Sequence, residues 1–402
     1  MKKTVSLIPT RQASLAHVVP SVAVTDEVQT LLDAGAVCAI GVSGGKDSQA
    51  CTVAVVNYLD SIGHTGPRVL VHADLGRVEW NDSLPVCEEL AERFGLELMV
   101  VRRPAGDMMD RWQSRWQANL KRYVDLSCVK LILPWSTPAL RFCTSELKVD
   151  VITRALKARY PDHDIVNVAG IRRQESTTRS KMPVSAPQEK LKRARKRKMG
   201  VTWNAIIEWK LEDVFASIAQ SGLRLHEAYV RYAVSRVSCV FCIMSCQADL
   251  RASAACEGNA DVYCEMVQLE ADSTFAFQGQ HWLADTAPQL LSADLRLAVA
   301  QAKEKAARRV DIESRIPSHL LYTKGWPTAV PSYDDARILA SVRQEMALLL
   351  GIELAYTTPE SIQQRYAELI AAATLKKAQK AAKSKKRTGD AEVQDEELIS
   401  QE

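Results

Sequence analysis

Two groups of residues in this sequence have the types and spacings that do chemistry. The first is Ser43-Gly44-Gly45-Lys46-Asp47-Ser48, which follows the apolar run Ala36-Val37-Cys38-Ala39-Ile40-Gly41-Val42 and precedes a helical pattern from Ser48 to Ile62. A buried strand that breaks into a glycine-rich turn at a helix start presents several backbone N–H groups, and the positive helix end, to one anion. Gly44 and Gly45 reach dihedrals closed to other residues and let the backbone approach a phosphate with no Cβ in the way. Ser43 and Ser48 add hydroxyls and Lys46 a point charge. The spacing is neither that of the Walker loop nor the Gly-x-Gly-x-x-Gly of dinucleotide folds. The turn predicts a phosphate cradle.

The second group is Cys239-Val240-Phe241-Cys242-Ile243-Met244-Ser245-Cys246, three cysteines in eight residues, with Cys143 far upstream in Arg141-Phe142-Cys143-Thr144-Ser145-Glu146-Leu147-Lys148. Two cysteines two residues apart can bite one metal centre, and sites made only of thiolates favour iron–sulfur clusters or zinc. Spacing alone does not separate the two. Beyond Cys239, Cys242 and Cys246, a fourth ligand could come from Cys143, Cys256 or Cys264. Cys38, Cys51 and Cys87 fall on core faces of expected elements and read as small apolar packing residues, while Cys128 is assigned to neither group.

The rest of the chain must position these groups. Its 402 residues, 47% hydrophobic, suffice for a large core and two or three domains. Charge interrupts every apolar stretch well short of a membrane span, and no apolar segment follows Lys2 and Lys3 as an export signal would. We therefore expect a cytoplasmic protein without membrane contact, whose clustered cysteines hold metal or do chemistry rather than form disulfides. The net charge of +4 says little about partners. Its distribution says more: the run from Lys190 to Lys198 is densely basic, as is the stretch from Lys376 to Arg387, and an acidic end follows from Asp390. The first run is a candidate contact for nucleic acid.

Residues 1–24 have no periodicity and are expected to form an irregular lead-in. Thr25 or Asp26 caps a helix that Gly35 ends. Arg68–Asp74 has the pattern of a buried strand and ends in Asp74-Leu75-Gly76; Asn81 or Asp82 caps a helix through Arg93, Gly95 stops it, and 96–101 is a third strand. Strand and helix alternating over short links imply a parallel sheet covered on both faces, with a nucleotide at the carboxyl ends of the strands. Both the 43–48 turn and Asp74 fall there. Trp112, Trp116, Leu120 and Tyr123 recur at helical spacing and read as core packing rather than base stacking. Residues 165–171 predict another strand, which delivers Gly170, Arg172 and Arg173, with Arg179 close behind, to the same end, where guanidinium groups could grip phosphate or sulfate. Residues 181–200 read as a mobile surface loop and 211–218 as an amphipathic helix. Beyond Cys264 the pattern is mainly helical, over 297–310, 333–350 and a short helix from Pro359 to Ala373. The organisation expected is a nucleotide-binding domain over 25–250, a helical region over 251–373, and a charged tail over 374–402 that is at most a lone helix or disordered.

Ser-Gly-Gly-Lys-Asp-Ser resembles the pyrophosphate loop of the adenine-nucleotide α-hydrolases, enzymes that cleave ATP between its α and β phosphates. With Asp74-Leu75-Gly76, the 141–148 segment, Gly170-Ile171-Arg172-Arg173-Gln174-Glu175-Ser176 with Arg179, Trp209 with Glu212-Asp213-Val214, and Ser235-Arg236-Val237-Ser238-Cys239-Val240-Phe241-Cys242, it resembles the phosphoadenosine phosphosulfate (PAPS) reductase family within that superfamily. The resemblance implies a Rossmann-like parallel sheet with helices on both faces, an adenine nucleotide over the loop, and a four-iron, four-sulfur cluster between the Cys143 and Cys239/Cys242 regions. Two departures shape the activity expected. No cysteine follows Cys264, so the carboxyl-terminal nucleophile of the assimilatory reductases is missing, and the loop keeps the intact form of ATP-cleaving members. That combination resembles the sulfur-transfer members such as the Dnd-type DNA phosphorothioation proteins. It implies ATP cleavage to AMP and pyrophosphate with Lys46 and Ser43, Gly44 and Gly45 on the phosphates, Asp47 and Ser48 supporting Mg²⁺ or the loop, Arg172, Arg173 and Arg179 at the phosphate end, and a cysteine desulfurase as sulfur donor. A PAPS or adenylyl-sulfate reductase, and a tRNA-thiolating or amidating ATP pyrophosphatase, are the alternatives.

Overall fold

A computed structural model describes residues 17–399, with side chains through residue 379. The first sixteen residues of the lead-in, and residues 400–402 of the tail, lie outside the described residues. Residues 17–24 have no regular structure, yet they are tied to the domain: the indole N–H groups of Trp203 and Trp209 donate to the carbonyls of Ala23 (2.7 Å) and Ser21 (3.1 Å).

The chain divides into two compact units. The first, running through Gln113 and taking up Trp135–Glu270 and Ala276–Arg296, holds a six-stranded sheet: β1 (Val37–Val42), β2 (Arg68–Asp74), β3 (Glu97–Arg102), β4 (Ile165–Val168), β5 (Ser185–Pro187) and β6 (Gly200–Trp203), in the order β3-β2-β1-β4-β6-β5. All pairings are parallel except β5 with β6. Period-two alternation along β1 explains why both faces are covered. Cys38, Ile40 and Val42 pack with Cys51, Val55 and Leu59 of the Lys46–Ser61 helix, Cys87 and Leu90 of the Ser83–Phe94 helix, and Val214 and Ile218 of the Leu211–Gln220 helix, while Val37 and Ala39 meet Leu156 of the Asp150–Arg159 helix. The three cysteines read as packing residues are buried here.

The local signals account for most boundaries. The Thr25 hydroxyl accepts from Val28 N–H at the start of the Asp26–Asp33 helix, and Gly95 ends the Ser83–Phe94 helix in the left-handed region at φ 62°. Asp82 stands at the N-cap but does not cap with its side chain; its carboxylate instead takes Arg224 and the N–H of Glu227. Trp112, Trp116 and Tyr123 are buried on the Met108–Val124 helix, as packing required.

One segment departs from expectation. Residues 181–200 are not irregular throughout: Ser185–Pro187 (β5) pairs antiparallel with β6, and the turn between them is closed by the Arg193–Lys198 bridge. Charge density hid the strand. Lys190 pairs with Asp150 and Lys196 with Asp162 (2.7 Å), and Arg193 donates to the carbonyls of Tyr160 and His163, so three of the run's seven cations are fastened to the domain, while Lys192 pairs within the turn with Glu189 (2.5 Å).

The second unit comprises Ser114–Pro134, Ala271–Phe275 and the chain from Leu297 onward. It is helical, with Tyr333–Leu350 and Pro359–Ile399 as major helices; the latter runs on from Ala373 through the lysine-rich stretch. Its centre is the buried Arg343, whose guanidinium donates to the carbonyls of Tyr123, Val124, Ala355 and Tyr356 at 2.5–2.9 Å. Among the described residues no helix is long and apolar enough to cross a membrane.

Candidate functional site

The Ser43–Ser48 turn lies where β1 runs into the Lys46–Ser61 helix, at the carboxyl end of the sheet. Gly44 takes φ +70°, a region costly for residues with a Cβ, and a Cβ there would come within 2.8 Å of the Ser83 carbonyl. Gly45 is the N-cap, with no side chain to satisfy the helix's first amides. The Ser48 hydroxyl donates to the Gly45 carbonyl (2.8 Å) and accepts from Ser43 N–H (3.3 Å), which draws the turn shut. Among the described residues the N–H groups of Gly44, Gly45 and Asp47 have no acceptor. Three unpartnered amides at a helix N-terminus are the donor set an anion requires.

The charges next to the turn form a chain. Lys46 is 5% exposed; its ammonium donates to the Ser235 carbonyl at 3.1 Å and lies 3.3 Å from the Asp47 carboxylate. Asp47 in turn accepts from Arg172 Nε at 2.6 Å, and the Arg172 guanidinium, 4% exposed, also donates to Gln174 (2.9 Å). The strand-end arginines were expected at phosphate. Instead Arg172 holds Asp47, Arg173 donates to Glu208 (2.8 Å) and to the carbonyls of Ser180 and Met182, and Arg179 pairs with Glu175. Gly170 is placed as expected and for a visible reason: a Cβ there would come within 2.7 Å of the Asp47 carbonyl, so only glycine lets this loop abut the first turn of the nucleotide helix. Asp74 ends β2, accepts from Gly76 N–H at 2.6 Å and pairs with Arg102, its register partner on β3.

A segment with no motif of its own, His226–Tyr229, lies over the turn. The His226 ring sits against Gly44 and Ser83. Its Nδ1 accepts from Ala228 N–H (3.0 Å), so the ring proton is on Nε2, 3.3 Å from the Ser83 hydroxyl. Burial pulls its pKa down to about 4 despite the opposing pull of Asp82, so the ring is neutral and, with Nδ1 engaged, is no base for Ser83. The Tyr229 hydroxyl accepts from the backbone N–H groups of both Lys46 (3.2 Å) and Val237 (3.1 Å), and the Lys46 ammonium lies 5.0 Å from the centre of its ring. Arg236 follows Ser235, exposed and with no ion-pair partner among the described residues. An aromatic at helical spacing from His226 was the signal available in the sequence for Tyr229.

The cysteine turn begins two residues past Val237. Burial raises the Cys239 thiol pKa strongly, followed by the charges of Cys242 and Cys143, against Lys148, which lowers it; Glu79 raises it further. These thiols therefore share one electrostatic neighbourhood. Cys242 and Cys246 sulfurs each accept a backbone N–H, from Met244 and Asp249, at 3.5 Å. Cys246 does so as N-cap of the Gln247–Ala254 helix. Cys264 donates instead to the Leu290 carbonyl, and Cys256 is buried. Among the described residues no three His, Cys, Asp or Glu side chains converge closely enough to hold a single metal ion. The donor set, soft thiols whose sulfurs accept amide hydrogen bonds, fits an iron–sulfur group chemically.

A mostly parallel α/β domain whose first strand breaks into a glycine-rich turn and then a helix at the carboxyl end of the sheet has the Rossmann-like architecture. Within that class the chain belongs to the phosphoadenosine phosphosulfate reductase domain family, whose profile matches residues 37–245, more than half of the sequence. Among solved structures it is similar to a phosphoadenylyl-sulfate (PAPS) reductase from Candida auris in a phosphate complex, at 13% identity, with a TM-score of 0.31 over 55% of this chain and 98% of that one. It is also similar to the U34-tRNA thiolase NcsA from Methanococcus maripaludis, described with its [4Fe-4S] cluster, at 12% identity, with a TM-score of 0.27 over 73% of this chain and 76% of that one. No curated protein matches it.

Proposed function

We infer that this protein binds ATP on the Ser43–Ser48 turn, cleaves it to AMP and pyrophosphate, and uses the activated adenylate for sulfur transfer. The observation that carries this reading is the joining of the phosphate turn to the cysteine turn: Lys46 Nζ on the Ser235 carbonyl, 3.1 Å, four residues before Cys239. Nucleotide chemistry and thiol chemistry then occupy one site.

In this reading the amides of Gly44, Gly45 and Asp47 receive the phosphate oxygens. Lys46, held by Asp47 and Ser235, faces the charge that develops as the α–β bond breaks. An oxygen of the acceptor attacks the α-phosphorus; the P–O bond to pyrophosphate breaks and pyrophosphate carries away the electron pair. The terminal sulfur of a cysteine persulfide then attacks the activated acceptor and displaces AMP, leaving an acceptor–S–S–Cys bond; a second thiol cleaves that bond, releasing the thiolated acceptor and a disulfide that an external dithiol reductant returns to thiols. Mg²⁺ would screen the phosphates. An iron–sulfur cluster on Cys143, Cys239, Cys242 and Cys246 would supply a site at which sulfur is held. Asp47 and Ser48 act on the loop: Asp47 orients Lys46 and Arg172, and Ser48 closes the turn. The acceptor belongs to the nucleic acids, with a cysteine desulfurase as donor. Of the run from Lys190 to Lys198, Arg195, Arg197 and Lys198 keep side-chain charges without an acidic partner among the described residues and are available to phosphate.

The test is pyrophosphate release from ATP with DNA or tRNA present as acceptor, and sulfite release from PAPS, measured on the anaerobically purified protein. Pyrophosphate without sulfite is expected. Sulfite release with a thiol donor would make the protein a reductase and overturn this reading. Lys46→Ala should lower pyrophosphate release at least about 100-fold, and an unchanged rate would remove the turn from the mechanism.

A further inference from the structure

The Tyr229 hydroxyl occupies an unusual position. Backbone N–H groups at a helix N-terminus are filled by a capping side chain, water or a ligand. Here Gly45 supplies no cap, and the amide of Lys46, the first residue of the helix, is filled by the hydroxyl of a tyrosine 183 residues away. That oxygen lies 3.5 Å from where a Cβ on Gly45 would stand, so it rests directly on the glycine turn. The same oxygen accepts the N–H of Val237, two residues before Cys239. With both N–H groups donating to it, its own proton is directed away from them. The ring is buried, packs edge-on against His226 at 6.4 Å between centres, and carries the Lys46 ammonium over its face.

We propose that the Tyr229 hydroxyl holds the place of a phosphate oxygen on the turn, and that an arriving nucleotide displaces it and thereby releases Val237 and the cysteine turn behind it. This rests on the phosphate reading of the turn and adds the link between its two halves. The free turn offers three open amides and a fourth already taken. A phosphate bearing full negative charge is a stronger acceptor than a phenol oxygen, so the exchange runs toward the nucleotide. Once the hydroxyl leaves, the Val237 amide loses its acceptor and the segment leading to Cys239 and Cys242 is freed from the loop. The coupling is reciprocal: whatever shifts the cysteine turn away from Tyr229 also opens the Lys46 amide to phosphate.

Tyr229→Phe is the informative substitution, because the ring, its contact with His226 and its face toward Lys46 are kept and one oxygen is lost. Two measurements use the whole protein, anaerobically purified: binding of an ATP analogue with a methylene α,β-bridge, and amide hydrogen exchange over residues 235–242, which include Val237, followed by mass spectrometry, with and without that analogue. Wild type should show faster exchange in this segment with the analogue bound. The Phe variant should bind the analogue about five-fold more tightly, since one hydrogen bond no longer has to be broken, and its exchange should match the nucleotide-bound wild type and not respond further. A Phe variant that binds no more tightly, or whose 235–242 segment still responds to nucleotide, overturns the exchange while leaving the phosphate turn in place. A wild type that binds neither the analogue nor pyrophosphate removes the phosphate reading itself, and this proposal with it. Thermal melting of the variant within a few degrees of wild type shows that the fold is intact.

Discussion

Arg172 Nε donates to Asp47 Oδ1 at 2.6 Å, across 125 residues of sequence, and this one ion pair ties the end of β4 to the first turn of the nucleotide helix. Arg172 was expected at the phosphate end and Asp47 to support Mg²⁺ or the loop; in the structure the two pair with each other, the Arg172 side chain 5% exposed and that of Asp47 17% exposed. A buried guanidinium stripped of its carboxylate is costly. Asp47→Ala should therefore destabilise the sheet unit by about 3 kcal/mol and also lower pyrophosphate release, because Lys46 loses its carboxylate anchor. Urea unfolding alongside the release assay checks both effects; a variant of wild-type stability would show that the pair contributes nothing.

Gly170 leads to a steric prediction. Its Cβ would stand 2.7 Å from the Asp47 carbonyl and 3.1 Å from Cys51 Cβ, and neither neighbour can yield without moving the nucleotide helix. Gly170→Ala should cost about 1–3 kcal/mol and weaken nucleotide binding, read by calorimetry. Unaltered affinity would mean that the helix start is not what the nucleotide touches.

The thiol ligands can be separated from their structural duties at Cys246. Serine is a better N-cap than cysteine, so Cys246→Ser preserves the bond to Asp249 N–H. Iron and acid-labile sulfide should fall in Cys143→Ser, Cys239→Ser, Cys242→Ser and Cys246→Ser alike, with the Cys246→Ser melting temperature unchanged. Full iron content in any one of them excludes that residue as a ligand.

His226 makes the fold sensitive to acid. Its folded pKa, about 4, lies below the ordinary value of about 6.5, so between these limits the unfolded chain binds a proton that the folded chain does not. The contribution is fully present above pH 6.5 and is lost as pH falls toward 4, to a total of about 3 kcal/mol. Comparing His226→Asn with wild type at pH 7 and pH 4.5 isolates it. Equal acid sensitivity in the two proteins would assign the loss to other groups.

Arg195, Arg197 and Lys198 are the part of the basic run left for phosphates. Replacing all three with Ala should reduce the salt slope of DNA or RNA binding by up to about 3 and leave the affinity for ATP unchanged. An unaltered slope would leave this run as solvated surface.

Much of this architecture was legible beforehand because it is written in local rules. The strand Arg68–Asp74 and the helix Tyr333–Leu350 fall on the expected residues, and Gly95 and Thr25 punctuate as glycine and threonine do. The turn at Ser43–Ser48 was legible because glycines, a lysine and a strand-to-helix break coincide. What stayed hidden depends on pairing between distant segments. No pattern in Arg172 or Arg179 says whether a guanidinium will meet phosphate or a neighbouring carboxylate. Nor could residues 185–187 announce a strand, since three residues beside a lysine-rich turn carry no usable period. Tyr229 was missed for a related reason: a lone buried tyrosine looks like core until its oxygen is found on the loop.

The antiparallel return of β5 also decides what can be attached to this protein. β6 begins at Gly200 beside Ile165, the first residue of β4, so the turn from Gln188 to Met199 hangs from the end of the sheet opposite the phosphate loop. A fluorophore, an affinity handle or a surface linker placed at the exposed Ala194 would stand a full strand length from Lys46, leaving the nucleotide entrance open while the protein is watched or immobilised.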